Sequence, residues 1–170
     1  PYTELQFSQN GRVVVFKMLN YFRESARATV QWDTTSTFHV FHMLVHGASA
    51  EHARRWQIMQ DTSFRLLEHV HDAKSMQVNT DAKFSLWLDA LSQLGITASQ
   101  CDALLDVLAA LLHLSNIDFV QDDGPLCPAR VASEEPLYIA AALLGVGASS
   151  LANALTHHTR AVNGQLCTAL

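Results

Sequence analysis

Charge and long apolar runs are both scarce in this sequence of 170 residues. Charged residues make up 16% of it and hydrophobic residues 49%, a composition typical of a folded domain rather than a disordered tail. The net charge is −5 with the histidines neutral, so the chain has no basic excess for a phosphate backbone. No apolar stretch reaches the roughly 20 residues that span a bilayer. We therefore expect one domain, no nucleic-acid partner and no membrane span.

Cysteine is also rare. Three cysteines, Cys101, Cys127 and Cys167, lie far apart in the chain. An odd number at wide spacing argues against a disulfide framework and favours a reducing, cytoplasmic environment. The first residues lack a charged segment followed by an apolar one, so we expect no signal peptide here.

Several motifs that carry chemistry are missing. The sequence has no Gly-x-x-x-x-Gly-Lys-Ser/Thr phosphate loop, no Gly-x-Gly-x-x-Gly, no Gly-x-Ser-x-Gly and no Cys-x-x-Cys. We therefore assign no catalytic residue, no metal ligand and no cofactor to this chain.

Successive side chains in residues 2–18 fall alternately on two sides, as in a strand, and this stretch contains Asn10-Gly11. Together these features predict a β-hairpin with a tight turn. Asn163-Gly164 predicts a second hairpin over 159–170. Ile117, Phe119 and Val120 indicate a short strand, and the acids and prolines of 121–135 indicate a loop.

Between the two predicted hairpins, apolar residues recur at the spacing of an α-helix. The pattern predicts helices from about Thr37 to Gly47, over 49–59, from Thr80 to Gly95, over 98–114, from Ser133 to Gly145 and over 148–158. Thr97 and Gln100 form a capping box before the fourth helix. That helix is apolar almost all round, which predicts burial on most sides.

Three histidines, His39, His42 and His46, share one face of the first helix. Neutral imidazoles at this spacing can bind Zn²⁺, but no Glu is interleaved, so we interpret them as packed side chains with backbone or carboxylate partners. Cys101 lies in the first turn of a helix, where the dipole lowers a thiol pKa. No base is visible beside it, so we interpret it as an ordinary thiol.

Several stretches resemble the myosin motor domain. Leu108–Phe119 is similar to the family pattern Leu-Ala-Ala-x-Leu-His-Leu-Gly-Asn-Ile-x-Phe, and Phe38–Ala48 to Tyr/Phe-His-Ile-Phe-Tyr-x-Leu-Leu-x-Gly-Ala. The stretches Phe84–Ile96, Ala142–Val146 and Tyr2–Val14 follow the family in the same order and spacing. Thr34–Thr37 replaces the usual Gly-Glu-Arg-Asn and His42 the usual Tyr, as in a divergent unconventional myosin.

The resemblance implies a fragment of the α/β P-loop motor fold, from the upper 50-kDa subdomain. The fragment would be mainly α with an N-terminal β-hairpin. Its parts would be a transducer-type hairpin over 1–18, a helical body over 36–158 and an actin-facing hairpin over 159–170.

The implied function is part of an actin-based, ATP-driven motor of the cytoplasm and cytoskeleton. The chain would carry actin-binding surface and couple it to the nucleotide site without being catalytic itself. ATP and Mg would belong to the parent motor, and the partners would be the actin filament and the rest of the heavy chain. The alternative is a stand-alone helical interaction module, derived from a myosin head but without motor activity.

The resemblance also assigns candidate actin-contacting residues. One lies at the end of the predicted loop and the others in and before the second hairpin: Arg130, His157, His158, Thr159, Arg160, Ala161, Val162, Asn163 and Gly164. The acids of the loop, Asp122, Asp123, Glu134 and Glu135, form either a solvated surface or a docking loop.

Overall fold

The computed structural model describes residues 2–19, 38–59, 62–68, 80–121, 129–162 and 165–169. Within these ranges the side chains of residues 80, 81 and 158–169 are not described. The described part is mainly helical with an N-terminal antiparallel β-hairpin, which confirms the predicted fold class.

Six α-helices and three strand pairs follow one another in the described ranges. In chain order they are β1 (Tyr2–Phe7), β2 (Val13–Leu19), α1 (His39–Gly47), α2 (Ala50–Arg55), a 3₁₀ turn (Arg65–Leu67), α3 (Thr80–Gln93), α4 (Ala98–Ser115), β3 (Phe119–Gln121), β4 (Ala129–Val131), α5 (Glu134–Leu144), α6 (Ala148–Thr156), β5 (His158–Val162) and β6 (Gln165–Ala169).

The first hairpin forms around the predicted turn. Tyr2 lies opposite Leu19 in the antiparallel pair of β1 and β2. Gly11 has a φ of +74°, a left-handed conformation that glycine adopts without a Cβ clash. Ser8 Oγ accepts a hydrogen bond from the Arg12 N–H at 3.2 Å, which holds the tip. Asn-Gly between two alternating runs was therefore a sufficient signal for this element.

Helix boundaries follow the capping residues. The Thr97 and Gln100 capping box is present at the start of α4, and Gly145 ends α5 in the left-handed conformation. The predicted second helix is shorter than expected: it ends at Arg55, because Trp56 leaves the helix and Gln57 has a φ of +53°. The sixth helix ends at Thr156, since β5 begins at His158.

The core lies between α1, α3 and α4, and α5 packs against α4. Its largest fully buried side chains are Leu44, Trp56, Leu105 and Leu112. Small residues face each other where α4 meets α5, because Ala109, Ala110, Ala140 and Ala141 are all buried. Side chains of this size let two helix backbones approach closely.

Two sequence expectations about burial and loops are wrong. Helix α4 is buried on one side only: Leu104, Val107 and Leu111 are exposed, whereas Leu105, Ala109 and Leu112 are buried where described helices pack on α4.

The stretch 121–135 is not all loop, since β4 lies within it and pairs with β3, with Val120 opposite Arg130. A pair only three residues long has too little alternation to be visible in sequence.

No single helix in the described ranges has the length and hydropathy to cross a membrane. The pair α5 and α6 meets a length and composition criterion together, but it is bent by 111° at its break.

Candidate functional site

The candidate actin-contacting hairpin follows α6 directly. Strands β5 and β6 pair antiparallel, with Arg160 opposite Cys167 and Val162 opposite Gln165. Only two residues connect these strands, as the Asn-Gly signal predicts; Asn163 and Gly164 themselves lie outside the described residues. The predicted second hairpin is thus confirmed as a strand pair. For His158, Thr159, Arg160, Ala161 and Val162 the structure gives the strand position and not the side chain.

His157 joins α6 to this hairpin. It is half-buried, and its backbone N–H donates to the Asn153 carbonyl at 2.9 Å as the C-cap of α6. Its Nδ1 lies 2.8 Å from Thr156 Oγ1. The family resemblance implies actin contact for His157, and the structure shows its local contacts at the end of α6.

Arg130 lies on β4 and is exposed. Helix α6 contacts β4, so a single short helix borders Arg130 and leads into the β5–β6 hairpin. Both candidate regions are thus connected to α6: β4, with Arg130, packs against this helix, and the segment from His157 onward follows it in the chain. Asp122 and Asp123 lie outside the described residues. Glu134 and Glu135 are exposed in the first turn of α5, where carboxylates suit the helix dipole.

Asn116 and Asp118, at the end of the Leu108–Phe119 motif, make contacts that sequence reasoning missed. The Asn116 side chain accepts from the Arg65 N–H at 3.0 Å and donates to the Ser63 carbonyl at 2.7 Å. Asp118 binds the Arg65 guanidinium and the Ser133 hydroxyl. The motif thus fastens the 3₁₀ turn and the start of α5 to the end of α4. No sequence signal links these partners, because they are 15 to 53 residues apart.

Trp56 is a second anchor that the sequence does not indicate. Its indole N–H donates to Asp106 Oδ1 at 2.8 Å, and His52 stacks on its ring with centroids 4.7 Å apart. The carbonyl oxygen of Trp56 lies 2.7 Å from Nε2 of buried His113, so that nitrogen carries the proton and donates. Burial is the main cause that lowers the pKa of His113, and the hydrogen bond to Trp56 opposes it.

The three histidines of α1 do not share one environment. His39 and His46 are exposed, whereas His42 is buried and its Nε2 has no hydrogen-bond partner. Burial, with smaller effects of His46 and His39, lowers the pKa of His42. In the described ranges no group of three His, Cys, Asp or Glu residues is placed to hold a metal ion.

We predict that the two buried histidines, His42 and His113, make the protein less stable in acid. Because the folded pKa of His42 and of His113 lies below the ordinary value of 6.5, the unfolded chain binds more protons below that pH. The free energy of unfolding should be at its full value above about pH 6.5 and fall as the pH drops through the folded pKa values. Urea denaturation at pH 7.5 and 5.5 measures the difference. His42→Phe should make the difference smaller, and an unchanged difference would contradict this assignment.

Cys101 behaves as an ordinary thiol. Burial, and then the nearby charge of Asp102, raise its pKa, which is the opposite of what a helix-dipole-activated nucleophile requires. The interpretation of this residue as unreactive is therefore supported by its surroundings.

A shallow groove of about 460 Å³ lies between the turn after α2 and helix α5. It is lined by Gln57, Glu134, Glu135, Tyr138, Ile139 and Ala142.

Comparison with known proteins shows similarity to myosins and to two fungal chitin synthases. The chain is 35% identical to Chitin synthase 8 of Mycosarcoma maydis over 99% of its length and 8% of that protein. It is 32% identical to unconventional myosin-Ic of Mus musculus over 96% of the chain and 15% of that protein. It is 30% identical to Myosin-52 of Schizosaccharomyces pombe over 91% of the chain and 10% of that protein.

The chain thus spans only a small part of the relatives that it matches. Residues 1–169 also match the family described as "Myosin head (motor domain)". The match covers nearly the whole chain, including both hairpins and the helices between them. The chain therefore belongs to the myosin head family, as a fragment of a motor domain.

Proposed function

We propose that this chain is the actin-facing part of a myosin head, from its upper 50-kDa subdomain. The observation that carries the proposal is the arrangement around α6. This helix contacts β4, which bears Arg130, and leads into the β5–β6 hairpin, which bears Arg160. The family resemblance assigns actin contact to these same regions. Loops and hairpins held on a helical body are the usual place for such contacts.

The charges in these regions suit an acidic filament surface. The chain as a whole carries −5, yet each proposed contact region holds an arginine, Arg130 on β4 and Arg160 on β5. Basic side chains at a contact rim raise the rate of association with an acidic partner and make it depend on salt. The other proposed contacts are the hairpin positions His158, Thr159, Ala161, Val162, Asn163 and Gly164, together with His157 at its base.

Nucleotide chemistry belongs elsewhere in the proposed head. The sequence holds no phosphate loop, so ATP and Mg²⁺ would bind to other segments of the heavy chain. This chain would transmit actin binding to that site through its packed helices. The rest of the heavy chain would be its permanent partner, and the actin cytoskeleton its location.

Cosedimentation with filamentous actin tests the proposal, using the head that contains this chain, with and without ATP and at two salt concentrations. Arg160→Glu should weaken binding about tenfold, since it reverses a charge at the contact. Arg54→Glu is the matched control, because Arg54 is exposed on α2 and, among the described residues, its Nε donates to the Ala50 carbonyl of its own helix. Full affinity of Arg160→Glu would overturn the proposed contact.

A second candidate is a head-like interaction module without motor activity. Two relatives named chitin synthases match at 35% and 30% identity, the same range as the myosins. A chain of this family thus also occurs within proteins named for another activity. ATP turnover of the whole protein, with and without actin, separates the two functions. Actin-activated turnover supports the motor, whereas filament binding without turnover supports the module.

A further inference from the structure

One carboxylate, that of Asp118, joins three separate segments of the chain. One oxygen, Oδ1, accepts from the Arg65 guanidinium next to the core, and Oδ2 accepts from the Ser133 hydroxyl at 2.9 Å. Asp118 itself lies immediately before β3. The hydrogen bond from Arg65, and then that from Ser133, lower the pKa of Asp118, so it is ionised at neutral pH.

These contacts close the neck of the β3–β4 hairpin. The Asp118 N–H donates to Ser133 Oγ at 3.0 Å, and the Ala132 N–H donates to the Asp118 carbonyl at 2.8 Å. The residue before β3 is thus bonded to the two residues after β4. Beyond this neck the strand pair is only three residues long, so its orientation relative to the helices depends on the neck and on the contact of β4 with α6.

The Ser133 side chain contacts Asp118 and does not cap α5. Ser133 is the N-cap residue of α5, where a serine oxygen ordinarily accepts a backbone N–H of the first turn. Here the side chain makes no capping hydrogen bond, and its hydroxyl is bonded to Asp118 instead. The N3 residue of α5 is Pro136, which has no N–H to donate, so the usual capping bond at N3 is not available to Ser133 and its hydroxyl bonds to Asp118.

The Arg65 side of the clamp is tied to the core. Phe64 next to it is buried and meets His113 edge-on, with ring centroids 5.3 Å apart. The Arg65 backbone is fixed by Asn116. A continuous set of contacts therefore runs from the core through Arg65 to Asp118 and then to the hairpin that carries Arg130.

We propose that Asp118 is a positioning residue: it clamps the neck of the β3–β4 hairpin and so sets the orientation in which Arg130 meets an acidic filament surface. The inference rests on the proposed actin contact of this hairpin. The inference adds that the Asp118 carboxylate affects filament binding by positioning Arg130 and does not itself contact the filament.

Two measurements on the intact head test the clamp. In hydrogen exchange without actin, Asp118→Ala should speed exchange of the amides of β3 and β4 about tenfold, because the neck opens. In cosedimentation, Asp118→Ala should weaken actin binding about threefold. In an Arg130→Ala background it should cause no further loss. Asp102→Ala is the matched control: this acid on α4 lies 3.9 Å from His52 and makes no contact with the hairpin neck.

Each outcome decides something different. Unchanged hairpin exchange in Asp118→Ala would overturn the clamp. Faster exchange with additive effects of Asp118→Ala and Arg130→Ala on affinity would show a structural role that does not act through Arg130, and would overturn the positioning role. If Arg130→Ala and Arg160→Glu both bind actin fully, the proposed function fails, whereas the exchange experiment still decides whether Asp118 holds the hairpin.

Discussion

Replacing Trp56 with alanine is expected to lower the free energy of unfolding by about 3 to 5 kcal/mol. The side chain is 1% exposed, so its removal leaves a cavity among Leu105, Leu112 and their neighbours. It also removes the hydrogen bond to Asp106 and the stacked partner of His52. Since a domain has only about 5 to 15 kcal/mol of stability in total, this change should cost much of it. Urea denaturation of the head followed by circular dichroism measures the loss.

Two further variants separate the causes. Trp56→Phe keeps an aromatic ring against His52 but removes the indole N–H, so it should cost about 1 to 3 kcal/mol for the unpaired Asp106 oxygen and the smaller ring. Tyr138→Ala is the aromatic control, because Tyr138 is 58% exposed and should cost less than about 1 kcal/mol. Equal losses for Trp56→Ala and Tyr138→Ala would contradict the anchoring role of Trp56.

Gly47→Ala should destabilise the protein by about 1 to 3 kcal/mol, although alanine is the better helix former. A Cβ at Gly47 would lie 2.6 Å from Cβ of Phe84, where helix α1 meets α3. Phe84 is buried, and a Cβ cannot turn away as the end of a long side chain can. Helix α1 would therefore have to move away from α3 or strain would remain. The melting temperature measured by calorimetry should fall by several degrees.

Gly147→Ala is the matched control for this effect. Gly147 precedes α6 with a negative φ of −69°, and an added Cβ would meet nothing nearer than Ser150 Oγ at 3.6 Å. Gly147 is the N-cap of α6, so this substitution should cost about 0.5 to 1 kcal/mol through the poorer cap, with no contribution from a clash. If Gly47→Ala proved as mild as Gly147→Ala, the close approach of α1 and α3 would not be a constraint on the sequence.

Local signals predicted the elements whose causes are local. Asn10-Gly11 and Asn163-Gly164 predicted both long hairpins; in the first of them Gly11 alone takes the positive φ, which glycine adopts without strain. Thr97 with Gln100 predicted the start of α4, and Gly145 the end of α5, since a cap and a left-handed stop involve only neighbouring residues. These predictions are confirmed.

The errors have non-local causes. An apolar helix such as α4 looks fully buried in sequence, yet which face is covered depends on where α1, α3 and α5 pack. The early end of α2 depends on Trp56, which is held by Asp106 and His113 some 50 residues later. Strand β4 is stabilised by its partner β3 across a connection of seven residues. Contacts between such distant segments produce no periodic pattern in the short stretches of sequence that make them.

For the candidate site, the sequence supplied the residues and the fold supplied their relation. The myosin-like motifs directed attention to Arg130 and to the hairpin from His157 onward. Only the tertiary structure shows that α6 contacts β4 as well as leading into the β5–β6 hairpin, and that Asp118 is hydrogen-bonded to Ser133 at the base of the hairpin of Arg130. The actin contacts themselves stay a prediction that cosedimentation decides.

The sequence by itself determined the family, the turn positions and most helix ends, because motifs, caps and tight turns are set by residues a few positions apart. Only the tertiary structure decided which faces are buried, why Gly47 must lack a side chain, and which acid pairs with which arginine. Packing and hydrogen bonds between distant segments depend on directions in space. Spacing along the chain does not encode those directions.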